Sequence, residues 1–204
     1  MPSKHPAPLN RQSVRDRAKR HGLNPADVFK TIAYNQLLQR LAQAGAGDIV
    51  LKGGQALHVR GASSRTTRDM DLRGDAQDAR ITTDAVLNAA ATDLGDGLFF
   101  TVKNDPKELR IQRTGGNSGF NLGFMVRLGG QYWAELSVDI ATGREPSGTV
   151  AVSPFPLPFD IPGLSPASVA IFPVEDHLSD KVWATPPTCG PQSKRNGCDA
   201  RRRS

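Results

Sequence analysis

The chain has 204 residues, enough to bury one full hydrophobic core with little left for a second, so a single principal domain is expected. No apolar run approaches bilayer length, and the basic, proline-bearing start lacks an apolar signal core; a cytoplasmic protein with no membrane partner is expected. Of a formal net charge of +6, residues 1–20 carry +5 and residues 194–204 carry +4, which leaves the stretch between them at −3.

The N-terminal segment, 1–23, holds Arg11, Arg15 and Lys19, with Arg17 and Arg20 alongside. These would form a basic helical face suited to RNA phosphates, or an ordinary solvated terminal segment. The domain proper is expected over 24–185. Asn24-Pro25-Ala26-Asp27 reads as a helix start, with a capping side chain, proline at the first helical position and an acid in the first turn. Phe29, Ala33, Leu37 and Leu41 then repeat at helical spacing, and Gly45 and Gly47 stop the helix near Ala44.

Asp48, Ile49, Val50 and Leu51 read as the end of a buried strand and residues 55–60 as a short helix, so Gly53-Gly54 falls at a strand-to-helix turn. Free amides at a helix start face an anion, and a missing β-carbon lets phosphates approach the backbone. A Gly-Gly pair is also plain punctuation in many chains. Downstream lies Asp69-Met70-Asp71-Leu72. On a strand the two aspartates point one way and Met70 and Leu72 the other, into the core. Two carboxylates held that close invite a divalent cation, and magnesium suits them because it keeps positions for phosphate and water. Read alone, without the glycine turn, the pair is two solvated acids at a strand end.

Residues 82–93 read as a helix with Ile81, Ala85, Val86 and Ala89 on its buried side. A β-rich stretch follows: Leu98, Phe100 and Val102 alternate with Phe99, Thr101 and Lys103, Leu109 and Ile111 alternate with Glu108, Arg110 and Gln112, and Gly115-Gly116-Asn117 is a turn. In the next hairpin, a three-residue loop over 129–131 sets Leu128 opposite Tyr132 and Leu122 opposite Val138, which keeps apolar residues facing apolar ones. Ser137 and Asp139 then fall on the polar face. Asp139 becomes a third metal ligand if its strand lies beside that of Asp69 and Asp71, enough for two magnesium ions; otherwise it caps the loop 141–147. Residues 143–168 are rich in proline and glycine and read as a long ordered loop ahead of a helix over 175–185. Lys181 on that helix either reaches a triphosphate or belongs to a solvated face. Cys189 and Cys198, the only cysteines, sit in a polar tail over 186–204 without histidines at zinc spacing and read as free thiols.

From about residue 48 to 185 the chain resembles the AbiEii/AbiGii toxin family, which includes the MenT toxins and belongs to the DNA polymerase β-type nucleotidyltransferase superfamily. Leu51-Lys52-Gly53-Gly54-Gln55-Ala56-Leu57 resembles the family's opening strand and glycine turn, and Arg65-Thr66-Thr67-Arg68-Asp69-Met70-Asp71-Leu72 its arginine, hydroxyl and DxD block. The resemblance implies an α+β, nucleotidyltransferase-like mixed sheet flanked by helices. It implies that Asp69, Asp71 and Asp139 bind metal, that Asp69, Asp71 and Lys181 are catalytic, and that Lys52, Gly53, Gly54, Arg65 and Thr67 bind the nucleotide. The activity implied is magnesium-dependent transfer of a nucleoside monophosphate (NMP) from an NTP to an RNA acceptor, for the MenT-like branch the tRNA 3′ end, with a cognate antitoxin as partner. The chain departs from the family after residue 185, where further helices and another acidic motif would follow; a truncated or shifted frame and a disordered basic tail are expected there.

Two other function classes fit parts of the pattern. One is a catalytically silent remnant that binds antitoxin or RNA through its basic ends. The other is a glycosyltransferase, which also uses a DxD step but is disfavoured by the Gly-Gly turn before it.

Overall fold

In the computed structural model, residues 9–46, 48–61, 69–74, 78–103, 119–142 and 145–184 are described, with backbone alone for 180–184. The side chain of Asn10 accepts the Ser13 amide at 2.9 Å and starts α1 (Arg11–Arg20), whose last turn carries Arg17, Lys19 and Arg20 where the helix dipole favours cations. Asn24 accepts the Ala26 amide at 3.0 Å, Pro25 takes the first helical position, and α2 (Pro25–Gln43) runs to an Ala44 cap, as the sequence predicts.

Next in chain order are β1 (Val50–Lys52), α3 (Gly53–Val59), β2 (Met70–Arg73), α4 (Ala79–Ala90), β3 (Leu98–Val102), β4 (Gly119–Leu128), β5 (Gln131–Ala141), β6 (Ala151–Pro154), β7 (Ser168–Ile171) and α5 (Val174–Ala184). Among the described residues the strands form one seven-stranded sheet in the order β3-β4-β5-β2-β1-β7-β6. Two of its pairings are parallel, β2 with β5 and β1 with β7. The fold is therefore α+β, a mixed sheet with flanking helices. Met70, Leu72, Leu122, Val138 and Ile140 enter one core with Ile32, Ala33 and Leu37 of α2 and Val86 and Ala89 of α4.

Arg40 of α2 is fully buried and fastens that helix to the segment between α4 and β3. Its guanidinium holds Asp96 in a fork at 2.8 and 2.9 Å and donates to the carbonyls of Thr92 and Leu98. A charge in that setting is tolerable because its donors are met by a carboxylate and by carbonyls at once.

Three local expectations are corrected. Ile81 is 58 % exposed rather than buried, because the inward stripe of α4 runs through Ala79, Thr82, Thr83, Val86 and Ala89. Five residues from Val86 puts Ile81 about 140° round the helix. The hairpin closes through a two-residue turn, Gly129-Gly130, with φ of 53° and 84° as a type I′ turn requires, instead of the loop 129–131. Leu128 thus faces Gln131 and Arg127 faces Tyr132; a bulge at Trp133 then brings Val126 opposite Ala134, and Leu122 meets Val138 as expected. The extra residue resets the alternation, so Tyr132 is 50 % exposed while Trp133 is buried and donates its indole N–H to the Phe29 carbonyl at 2.8 Å. Finally, the proline-rich stretch 143–168 is not all loop, since it supplies the edge strand β6, antiparallel to β7. Its exposed Val152 gave no alternating signal, and Pro154 is tolerated because an edge strand needs no amide on its open side. The strand expected around 109–111, the turn at 115–117 and the tail over 186–204 lie outside the described residues.

Candidate active site

The site is built where β1 ends and β2 begins. Lys52 closes β1 opposite Asp71 of the antiparallel β2, and the chain turns into α3 through Gly53 at φ +63°. A β-carbon on Gly53 would stand 1.7 Å from Oδ2 of Asp71. Glycine is required there twice over, by the left-handed backbone and by the carboxylate pressed against it. Lys52 provides no side-chain cap, so the first amides of α3 are not engaged from that position.

Met70 and Leu72 are buried on one face of β2, which turns Asp71 to the other, and Asp69 stands exposed just before the strand. The neighbouring parallel strand matches Met70 to Val138, Asp71 to Asp139 and Leu72 to Ile140. Two aspartates thus sit side by side on adjacent strands, with Asp69 one strand period away. On the far side β4 matches Asn121 to Asp139, and the Asn121 amide donates to Asp139 Oδ1 at 2.6 Å and to Ser137 Oγ at 3.0 Å. Those bonds fix the Asp139 carboxylate in place.

Electrostatics register this crowding. Burial first, then the negative charges of Asp139 and Asp69, push the Asp71 carboxyl up to about 6, with Lys52 pulling the other way. Tyr34 of α2 feels the same charges: burial chiefly, and then Asp69, Asp139 and Asp71, push its hydroxyl well above the usual phenol range, while its O–H donates to the Ser137 carbonyl at 3.1 Å. A cavity of about 320 Å³ opens beside Tyr34, with Gln55 and His58 of α3 and Pro156, Leu157 and Pro158 among its walls.

Phe172 joins the glycine turn to the start of α5. Its amide donates to the Leu51 carbonyl at 2.9 Å, its carbonyl accepts from Arg60 at 2.9 Å, and Lys52 Nζ stands 4.2 Å from its ring centre. Asp176, in the first turn of α5, accepts the amides of Ser147 and Gly148 and the Ser147 hydroxyl, which sets the direction in which the helix carrying Lys181 runs. The backbone of Lys181 is helical; its side chain, like all of Arg65, Thr67 and Arg68, lies outside the described residues. Sequence reasoning missed Tyr34 and Asn121. The second was legible, because the register that pairs Leu122 with Val138 also pairs Asn121 with Asp139.

Among the described residues no group of three or more His, Cys, Asp or Glu side chains is arranged as a ready metal site. The donor set still fits a hard divalent cation. The strand register that brings Asp71 and Asp139 together is fixed by the backbone, so the two carboxylates stay side by side and offer the oxygen donors such an ion takes.

A family model described as "Nucleotidyl transferase AbiEii toxin, Type IV TA system" matches residues 36–201, a span that begins within α2 and runs past residue 185 into the tail. Among solved structures, a candidate nucleotidyltransferase from H. pylori is similar at 15 % identity with a TM-score of 0.43, over 74 % of this chain and 57 % of that one. JHP933 from Helicobacter pylori is similar at 16 % identity with a TM-score of 0.42, over 76 % of this chain and 57 % of that one. The chain therefore spans less than two thirds of either structure's length. No curated protein matches it.

Proposed function

Because this chain belongs to the AbiEii nucleotidyltransferase toxin family, we propose that it transfers an NMP from an NTP to the 3′ hydroxyl of an RNA, with tRNA as the acceptor. The observation that carries this reading is the pairing of Asp71 with Asp139 on parallel strands, with Gly53 packed on the Asp71 carboxylate. In the reaction the acceptor hydroxyl attacks the α-phosphorus, the bond to the β-phosphate oxygen breaks, pyrophosphate leaves and the hydroxyl proton passes to solvent.

Asp69, Asp71 and Asp139 would hold magnesium, which supplies Lewis-acid stabilisation of the phosphates and lowers the pKa of the attacking hydroxyl when bound. Asn121 keeps Asp139 oriented for that task. Gly53 makes room for the Asp71 carboxylate beside the turn, and the Gly53 and Gly54 amides at the start of α3 offer donors to the phosphates. Lys52, Arg65 and Lys181 offset charge on the leaving pyrophosphate, and the Thr67 hydroxyl binds beside it. The toxin–antitoxin setting of the family implies a cognate antitoxin as partner.

Incubation with unfractionated tRNA, magnesium and an NTP labelled at either the α- or the γ-phosphate tests the reading. The α-label is expected to enter RNA and the γ-label to stay out, and incorporation should vanish in Asp69→Ala. Failure of every NTP to label RNA at any magnesium concentration would leave the silent, binding-only reading in its place.

A further inference from the structure

We infer that the groove between α1, the first turns of α2 and the tip of the β4–β5 hairpin is where this chain docks RNA, taking the phosphate backbone of a single strand whose end reaches the acids. The inference rests on the acceptor proposed above being RNA, and it gives that acceptor a surface.

The groove, about 510 Å³, is lined by Arg11, Arg15 and Lys19 from one face of α1, by Lys30 from α2 and by Tyr132 from the hairpin. Residues four apart on a helix are about 6 Å apart along its axis, so the three α1 cations form a row that can follow successive phosphates. Arg11 is already positioned: its Nε donates to the Tyr132 carbonyl at 2.9 Å and its guanidinium stands 4.6 Å from the centre of the Phe29 ring. Two carboxylates also line the groove, Asp27 and Glu135. Glu135 is answered by Lys103 at 2.7 Å, which leaves the groove with positive charge in excess.

Its walls lead toward the site. The α2 and β5 residues that line it, among them Asp27, Phe29 and Lys30 and residues 132–135, precede Tyr34 and Ser137 on the same two elements, and the Tyr34 hydroxyl donates to the Ser137 carbonyl. From Tyr132 to Asp139 along β5 is roughly 20 Å at the rise of a strand, a span a short single strand covers. An aromatic ring exposed beside a row of cations is the composition that binds single strands, bases stacking on the ring while phosphates follow the charges. Four cations against two carboxylates, with Tyr132 and Phe29 beside them, suit a phosphate backbone with stacking bases.

The test measures binding of unfractionated tRNA to the full chain, without NTP, over a range of salt concentrations. R15E/K19E is expected to weaken binding at least tenfold. The slope of log K against log [salt] should become shallower by about 1.4, the share of two phosphate contacts on a single strand. R15Q/K19Q, which spares the fold any charge reversal, should lose the same slope with a smaller loss of affinity. Y132A should weaken binding severalfold with the slope unchanged. In turnover, R15Q/K19Q should raise KM for RNA and leave KM for NTP as it was. Wild-type affinity and slope in R15Q/K19Q, or no tRNA binding by the wild type, would overturn the inference. So would loss of poly-glutamate binding in that variant with tRNA binding intact, the mark of an acidic-protein surface. Binding is read without chemistry: a wild type that binds tRNA through Arg15 and Lys19 but transfers nothing sinks the proposed activity alone, and one that transfers NMP with RNA affinity unmoved in R15Q/K19Q sinks the groove alone.

Discussion

Replacing Asp71 by asparagine is expected to lower NMP transfer at least about a thousandfold, the scale of losing a principal electrostatic group at a reacting phosphate, and to raise the melting temperature of the metal-free protein. The two effects share one cause. The Asp71 carboxyl is raised from 3.8 to about 6 by burial and by Asp139 and Asp69, so the folded state holds its charge at a cost that the unfolded chain does not bear. Above pH 6 that cost is fully present; it fades as pH falls through 6 and is gone below 3.8. Metal-free wild type should therefore gain stability from this group between pH 7 and pH 4. At about 1.4 kcal/mol per pKa unit the penalty at neutral pH is on the order of 3 kcal/mol, which Asp71→Asn removes. Magnesium should raise the melting temperature of the wild type at pH 7 and have much less effect on the variant. Thermal melts at pH 5 and pH 7, with and without magnesium, check each part. A variant that melts lower than wild type at pH 7 without metal would show that Asp71 is a structural acid instead.

Gly53→Ala is expected to cost at least about a hundredfold in kcat/KM and to destabilise the fold. Left-handed backbone costs a residue with a β-carbon roughly 1–2 kcal/mol. At φ +63° the new methyl would also stand 1.7 Å from Asp71 Oδ2, so the carboxylate must move. Gly45 separates the two effects, since its φ is +73° and a β-carbon there meets nothing within 4 Å. Gly45→Ala should lose stability by the backbone term alone and keep its transfer rate. Equal loss of activity in the two variants would mean that the approach of Gly53 to Asp71 has no functional consequence.

How much of this was legible depended on whether the signal was local. The Asn24-Pro25 start and the inward Met70 and Leu72 were readable because capping and strand parity act over a few residues. The register of Leu122 against Val138 was readable too, but the turn that sets it was not. A two-residue turn plus a bulge gives the same distant register as a three-residue loop, and only the residues at the tip, Tyr132 turned out and Trp133 turned in, tell them apart. The pairing of Asp71 with Asp139 joins strands far apart in sequence, and nothing in either strand names its parallel neighbour. The contact of Tyr34 with this site was hidden for the same reason: on α2 it lies among a stripe of core residues, and only tertiary packing brings its hydroxyl to Ser137. Gly53 could be read as a turn residue from the sequence, yet its second reason for being glycine, the Asp71 carboxylate, belongs to the folded sheet.

If Asp69, Asp71 and Asp139, beside the Gly53 bend, join a nucleotide to RNA as proposed, the product is a lengthened tRNA. The intact mass of tRNA, read with its 3′-end sequence after incubation with the protein, magnesium and each NTP in turn, tests it most directly. The mass should rise by whole NMP residues at the 3′ end for at least one NTP with the wild type, and stay unchanged with Asp71→Asn. Unchanged tRNA with every NTP, or an equal gain in mass with Asp71→Asn, would contradict it.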